Sequence, residues 1–241
     1  MNPTPQLGDR HAEEISRIRT EYERRSRDIP EGYYDLRHPV NQFFHQQTVR
    51  ACLGMLAAAG AMPLDGKRIA DVGCGSGSWL LEFLQWGARV EDVAGVDLDS
   101  EKIRKAKLRL PGVSLTVGDA CSLPWPGNSL DLVSQFTVFT SILDAGVKRS
   151  LAAEMIRVLK PGGYVLWYDF RVNNPRNPNV RRVSAPELRT LFPGCAISLR
   201  SVTLAPPLAR TLVPISWISA LMLEKIPLLR THYAALIQKP A

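Results

Sequence analysis

Asp71 stands two residues ahead of three alternate glycines, Gly73, Gly75 and Gly77, in the run Ile69-Ala-Asp-Val-Gly-Cys-Gly-Ser-Gly-Ser-Trp79. A short apolar run reads as a buried parallel strand, and glycines after it let the backbone turn sharply and approach a ligand. A dinucleotide fingerprint would put glycine at position 78, where this chain has Ser78; the spacing therefore leans away from NAD. The acid before the loop can hold an amine or a hydroxyl, which suggests a nucleoside-type ligand without a pyrophosphate. A second strand, Val93-Ala-Gly-Val-Asp97, ends in another acid 26 residues after Asp71. In a doubly wound sheet that acid emerges beside the glycine loop at the carboxyl edge, where ligands bind. There Asp97 can accept two ribose hydroxyls and Leu98 can pack on a base. Gly118-Asp119-Ala120 sets an amide and a carboxylate where an adenine amino group could be read. The next strand, Leu130–Phe136, brings Ser134 and Gln135 to the same edge. Val158-Leu-Lys-Pro-Gly-Gly163 then turns tightly into a strand ending Trp167-Tyr-Asp169.

Taken in order, these motifs resemble those of the class I S-adenosylmethionine-dependent methyltransferases, and the resemblance covers residues 67–170. The core is also similar to methyltransferase type 11 domains and to methyltransferases of quinone biosynthesis. The resemblance implies S-adenosylmethionine as cofactor. The backbone of Gly73, Cys74, Gly75 and Gly77 would lie against its methionine moiety. Asp71 would hold the methionine amino group directly or through water. Asp97 with Leu98 would take the ribose and its base, Asp119 and Ala120 the adenine, and Gln135 would stand at the same edge. It further implies a seventh strand, 231–238, inserted antiparallel beside the fifth.

Methyl transfer from a sulfonium is an in-line displacement that needs no metal; alignment and exclusion of water do most of the work. An oxygen acceptor of high pKa also needs a base. Asp169, ending the fifth strand, is the first candidate, with His45 and His38 as reserves from the N-terminal segment. The segment after the fourth strand, 135–141, holds no histidine. The loop 170–182 carries four arginines, four asparagines and two prolines. Arginine forks suit phosphate or carboxylate and amides suit sugar hydroxyls. Arg171, Asn173 and Arg176, joined by Tyr34 from the aromatic stretch 29–39, are thus the expected acceptor-binding residues; Tyr33 and Phe43 are alternatives for lining the same cap. The expected reaction is O-methylation of a glycan, sugar-phosphate or lipid-linked acceptor. A quinone or small aromatic acceptor is the rival reading, and a non-catalytic cofactor-binding regulator is the third.

These residues need a scaffold, and the patterning supplies one: an α/β, doubly wound, seven-stranded Rossmann-like sheet with its last strand antiparallel, plus an N-terminal helical cap. The cap is expected over 1–60 and the cofactor-binding domain over 61–241. Strands are placed at 68–72, 93–97, 113–117, 130–136, 163–169, 196–205 and 231–238. Helices are placed at 11–28, 41–60, 78–86, 100–109, 146–159 and 184–191. Ile15, Ile18 and Tyr22 recur at helical spacing, so the first helix should lie on the domain by a thin apolar stripe. One apolar helix is expected over 211–225. Its 12-residue apolar run contains Pro214 and is too short to span a bilayer; it should cover a pocket, or else lie on a membrane surface.

At 241 residues the chain can bury a full core. Its four cysteines, Cys52, Cys74, Cys121 and Cys195, are far apart with no C-x-x-C pair, the usage of a reduced, cytoplasmic protein with no metal site. The N-terminus has no apolar stretch of signal-peptide type. The net charge of +7 is concentrated at one end: residues 171–241 hold ten basic and two acidic side chains. That bias favours an anionic partner, whether a phosphorylated acceptor or an acidic membrane surface. No lysine-rich tract or aromatic RNA-binding motif is present, which makes nucleic acid the weakest of the partner classes.

Overall fold

The computed structural model describes residues 7–30, 32–174 and 177–241. Two helices, α1 (Leu7–Asp28) and α2 (Pro39–Ala58), precede the first strand. The chain then alternates through β1 (Ile69–Val72), α3 (Ser78–Gln85), β2 (Val93–Asp97), α4 (Ser100–Arg109), β3 (Ser114–Val117) and β4 (Leu130–Phe136). It continues through α5 (Ala145–Val158), β5 (Leu159–Phe170), α6 (Ala185–Leu191) and β6 (Ala196–Leu204). Two short helices, α7 (Pro206–Leu212) and α8 (Trp217–Glu224), lead to β7 (Arg230–Gln238). The seven strands form one sheet in the order β3-β2-β1-β4-β5-β7-β6. β7 runs antiparallel to both β5 and β6, and the remaining pairs are parallel.

Alternation along the strands builds two cores. Ala70, Val72, Val133, Val165 and Trp167 face α5 and α6 together with Ile18 of α1. Ile69, Leu132, Leu166 and Tyr168 face the other way, against α2, α3 and α4. A side-chain period of two in the strands and apolar stripes on the helices account for both layers. α2 belongs to this second core through Cys52, Met55 and Leu56, so it is built into the sheet packing, and α1 alone lies over the carboxyl edge.

Three boundaries differ most from the sequence reading. α1 begins at Leu7, four residues before the expected start. β5 begins at Leu159, so the Lys160-Pro-Gly-Gly163 turn sits inside an irregular strand whose register to β4 shifts between Leu130 and Leu132. The expected helix over 211–225 is two helices. Pro214 offers no N–H to continue the ladder, and the Ser216 hydroxyl accepts from Ser219 N–H to start α8. Among the described residues no helix is long and apolar enough to cross a membrane.

Candidate functional site

The carboxyl ends of β1, β2 and β3 meet in a cavity of about 40 Å³ lined by Gly73, Asp97, Leu98, Asp119 and Ala120. Five residues expected from sequence therefore converge, and the backbone explains why. After β1 the chain passes Gly73, Gly75 and Gly77 at φ of +72°, +54° and +82°, a region side chains disfavour. A Cβ at Gly73 would run into Val138 Cγ2, and one at Gly77 would lie 2.6 Å from Leu110 Cδ1. The loop is thereby pressed against the end of β4 on one side and α4 on the other. Asp97 fastens it: one carboxylate oxygen accepts Gly75 N–H at 2.8 Å and the other Asp99 N–H at 2.9 Å. A carboxylate has about four lone-pair sites, so Asp97 keeps acceptor capacity for a vicinal diol. Asp119 is oriented by Cys121 N–H at 2.9 Å.

Other expected cofactor residues support this wall without lining the cavity. Asp71 is buried, and the Ser134 hydroxyl donates to it at 2.6 Å. Burial pushes its carboxyl up to about 7 against the lowering effect of Ser134, with the nearby Asp97 charge adding to the rise. Cys74 is buried beneath the loop, which raises its thiol. Gln135 is fully buried; its Oε1 accepts Val138 N–H at 2.9 Å and so sets the turn after β4.

The described residues expected for catalysis and acceptor binding do not line this cavity. Asp169 is fully buried, accepting Thr140 N–H and Phe170 N–H at 3.1 Å each. Its carboxylate anchors the turn after β4 and does not face the cavity. Burial pushes it up to about 7, opposed by those N–H groups and the Lys148 charge. His45 bonds Glu82 of α3 through Nε2 at 2.8 Å and is a tie between α2 and α3. Arg171 donates to the carbonyls of Pro227 (2.9 Å) and Arg230 (3.3 Å), stapling the entry to β7. Asn173 accepts Arg182 N–H and closes its own loop. Tyr34 is 70% exposed, edge-on to Tyr33. The fourth expected acceptor residue, Arg176, lies outside the described residues.

The N-terminal segment expected as a helical cap over cofactor and substrate supplies the occupant of the cavity mouth. α1 lies over it, with Ile15, Ile18 and Tyr22 as lining residues. Glu14 accepts Leu143 N–H and Arg17 donates to the Ser141 carbonyl, each at 2.5 Å. Lys102 Nζ sits 3.9 Å above the Tyr22 ring, whose hydroxyl is pushed up to about 12 by burial and by Asp97. His11 Nε2 hydrogen-bonds Asp119. The apolar stripe was legible in sequence, but its seat was not. The ligand atoms of His11, Asp119 and Cys121 lie within 4.8 Å of one another. Burial, Asp119 and Glu154 push the Cys121 thiol up to about 12, so it is protonated, and the His11–Asp119 bond accounts for the grouping.

Beside the cavity an aromatic row crosses the sheet edge. Trp79 stacks on Phe136 at 3.7 Å, Phe136 lies 6.0 Å from Tyr168, and Tyr168 stacks on His232 at 4.8 Å. Burial holds His232 down to about 3, so it is neutral there. Next to Phe136, Thr137 adopts φ +62°, a strained conformation for a β-branched residue of the kind found at functional edges.

Residues 69–163 match the family model described as a methyltransferase domain. A phthiotriol/phenolphthiotriol dimycocerosates methyltransferase of Mycobacterium tuberculosis is 37% identical over 113 residues, 46% of this chain and 40% of that one. A demethylmenaquinone methyltransferase of Renibacterium salmoninarum is 31% identical over 139 residues, 58% and 54% of the two chains. A fatty-acid O-methyltransferase of Mycolicibacterium smegmatis is 35% identical over 117 residues, 48% and 41%. The chain thus spans about half or less of the length of these relatives. Among solved structures, phosphoethanolamine N-methyltransferase 1 of Haemonchus contortus, in complex with phosphoethanolamine and S-adenosylhomocysteine, aligns with a TM-score of 0.63. The alignment covers 95% of this chain and 49% of that one at 17% identity; the likeness is one of fold.

Proposed function

We propose that the chain, whose residues 69–163 match a methyltransferase-domain model, is a class I S-adenosylmethionine-dependent methyltransferase that methylates a lipid-linked acceptor. The observation that carries the cofactor reading is the convergence of Gly73, Asp97, Leu98, Asp119 and Ala120 on one cavity. Asp97 would accept the ribose hydroxyls, Asp119 and the Ala120 backbone would read the adenine, and the glycine backbone would lie along the methionine. When bound, S-adenosylmethionine supplies an activated methyl group for in-line displacement. The chain's own residues then align the acceptor and exclude water. Asp169 serves as a positioning residue, holding Thr140 N–H and with it the turn beside the cavity. Ligand pockets run to about 300–1,000 Å³, and the present cavity is about 40 Å³. Cofactor entry therefore requires α1 to withdraw.

Two features favour a lipid-linked acceptor. The insert between β6 and β7 is apolar, and relatives of this domain are named for a dimycocerosate and for fatty acid. A quinone or small aromatic acceptor is the second reading, favoured by the Trp79–Phe136 row and by the demethylmenaquinone relative. The test is calorimetric titration with S-adenosylhomocysteine, followed by transfer of labelled methyl into a cell extract split into lipid, quinone, glycan, protein and nucleic-acid fractions. Label in the lipid fraction supports the proposal, and label in the quinone fraction supports the second reading. Binding without label anywhere would identify a non-catalytic cofactor-binding regulator. Absence of S-adenosylhomocysteine binding would overturn all three.

A further inference from the structure

We propose that the surface formed by α8 and its flanks seats the protein on an anionic lipid bilayer. Ile215, Ile218, Met222, Ile226 and Leu228 are exposed at 78%, 73%, 59%, 45% and 85%. α8 is apolar on both sides. Ala220 is buried against Phe43 and Val213, with Trp217 and Leu221 packed on the same cluster, while Ile218 and Met222, four residues apart, stand in solvent. A helix apolar all round belongs inside a core or against a non-aqueous phase, and a contiguous apolar surface, unlike a single exposed leucine, marks an interaction site.

The patch extends beyond α8. Arg210 of α7 donates to the Tyr33 hydroxyl at 2.5 Å, and Phe43 packs edge-on against Trp217 at 5.1 Å. These contacts bring the exposed Tyr33, Tyr34 and Leu36 to the same end of the molecule. Eight of the twelve exposed large hydrophobic residues among those described thus fall in two neighbouring stretches. The rest of the described residues show no comparable concentration.

Charge selects the partner. An open groove of about 710 Å³ adjoins α8 and is lined by Ile218, Leu221 and Met222 together with Arg50, Arg200, Lys225 and Arg230. Its one acid, Glu224, is paired with Arg50 at 3.0 Å, which leaves Arg200 and Lys225 as exposed cations beside the apolar tip. Aliphatic side chains below a cationic rim are what an acidic headgroup layer over acyl chains requires. Long basic side chains can keep their charge at the headgroups while their stems lie along the apolar surface. The inference does not depend on methyl transfer, although it would explain how a lipid-linked acceptor is met.

Flotation of the full chain with phosphatidylcholine vesicles, with and without phosphatidylglycerol, tests it. Binding should need phosphatidylglycerol and weaken in high salt. The double change Ile218→Asp with Met222→Asp should lower it more than about tenfold, and Lys225→Glu with Arg200→Glu by about fivefold per site. All variants should keep the wild-type circular dichroism. Failure of the wild type to float, or equal flotation by the double variant, overturns the proposal. So does a concentration-dependent dimer that the same double change abolishes, because the patch would then bind a second copy. S-adenosylhomocysteine titration of each variant separates the readings: loss of flotation with retained binding leaves the cofactor site untouched, and flotation without any cofactor binding would sink only the methyl-transfer reading.

Discussion

Asp119 has a partner in α1, and that partner competes with any ligand for the same carboxylate. His11 occupies one Asp119 oxygen and Cys121 N–H the other; an adenine amino group read by Asp119 would share the first with His11, so His11→Ala should tighten S-adenosylhomocysteine binding. A hydrogen bond to a charged group is worth about 1.5–3 kcal/mol when well sheltered; this one is half-exposed, which reduces the expected gain to about three- to tenfold. Calorimetry checks it, and weaker binding in the variant would make His11 a cofactor ligand. Asp169 allows a prediction of opposite character. Its carboxyl is raised to about 7 by burial, above the unfolded value near 4. Between those pH values the native state holds more protons than the unfolded chain, so this group costs stability as pH rises from about 4 to 7. The span corresponds to up to about 4 kcal/mol, and Asp169→Asn should remove that slope. Urea denaturation at pH 4.5 and 7.5 should show the variant gaining on the wild type at the higher pH. An equal difference in stability between variant and wild type at the two pH values would overturn the raised carboxyl.

At the level of elements, α1 makes the clearest demand. It fills the cavity mouth with Ile15, Ile18 and Tyr22 and is held to the turn after β4 through Glu14 and Arg17. A nucleoside held in that cavity would lie against it. Hydrogen exchange in residues 8–25 should therefore change when S-adenosylhomocysteine binds, while β6, at the opposite edge of the sheet from β3, stays the same. Unchanged exchange in α1 would mean that the pocket opens elsewhere. The stripe on α1 was legible because 3.6-residue periodicity is a local property; its docking site was not, because His11 and Asp119 are 108 residues apart. Arg171 of the 170–182 loop shows a related limit. A guanidinium looks the same in sequence whether it awaits a phosphate or, like Arg171, already binds two carbonyls. The splitting of the 211–225 run was signalled by Pro214 and Ser216, a helix stop followed by a cap.

For the whole molecule, the seven-stranded sheet and the meeting of Gly73, Asp97, Leu98, Asp119 and Ala120 at one cavity were readable because each motif follows its own strand by a few residues, and parallel βαβ topology then carries all of them to one edge. Asp97 is where that topology has its largest consequence, since it joins β2, the glycine loop and the start of α4 through two backbone N–H groups. A ligand that binds only the native state stabilises it by about 2.7 kcal/mol at one hundred times its dissociation constant. For a chain of this size, 1 kcal/mol moves the melting temperature by about 2–4 °C. Saturating S-adenosylhomocysteine should therefore raise the wild-type Tm by about 5–10 °C. Asp97→Ala removes both the ribose acceptor and the clamp on Gly75, so its ligand-free Tm should fall by a few degrees and the ligand-dependent rise should vanish. Asp97→Asn keeps an oxygen for Gly75 N–H but turns an NH2 toward Asp99 N–H, so its ligand-free Tm should fall less than that of Asp97→Ala and its ligand-dependent rise should be reduced. A full rise in Asp97→Ala would mean that the nucleoside is held elsewhere, and the cavity formed by Gly73, Leu98 and Asp119 would lose its claim to the cofactor.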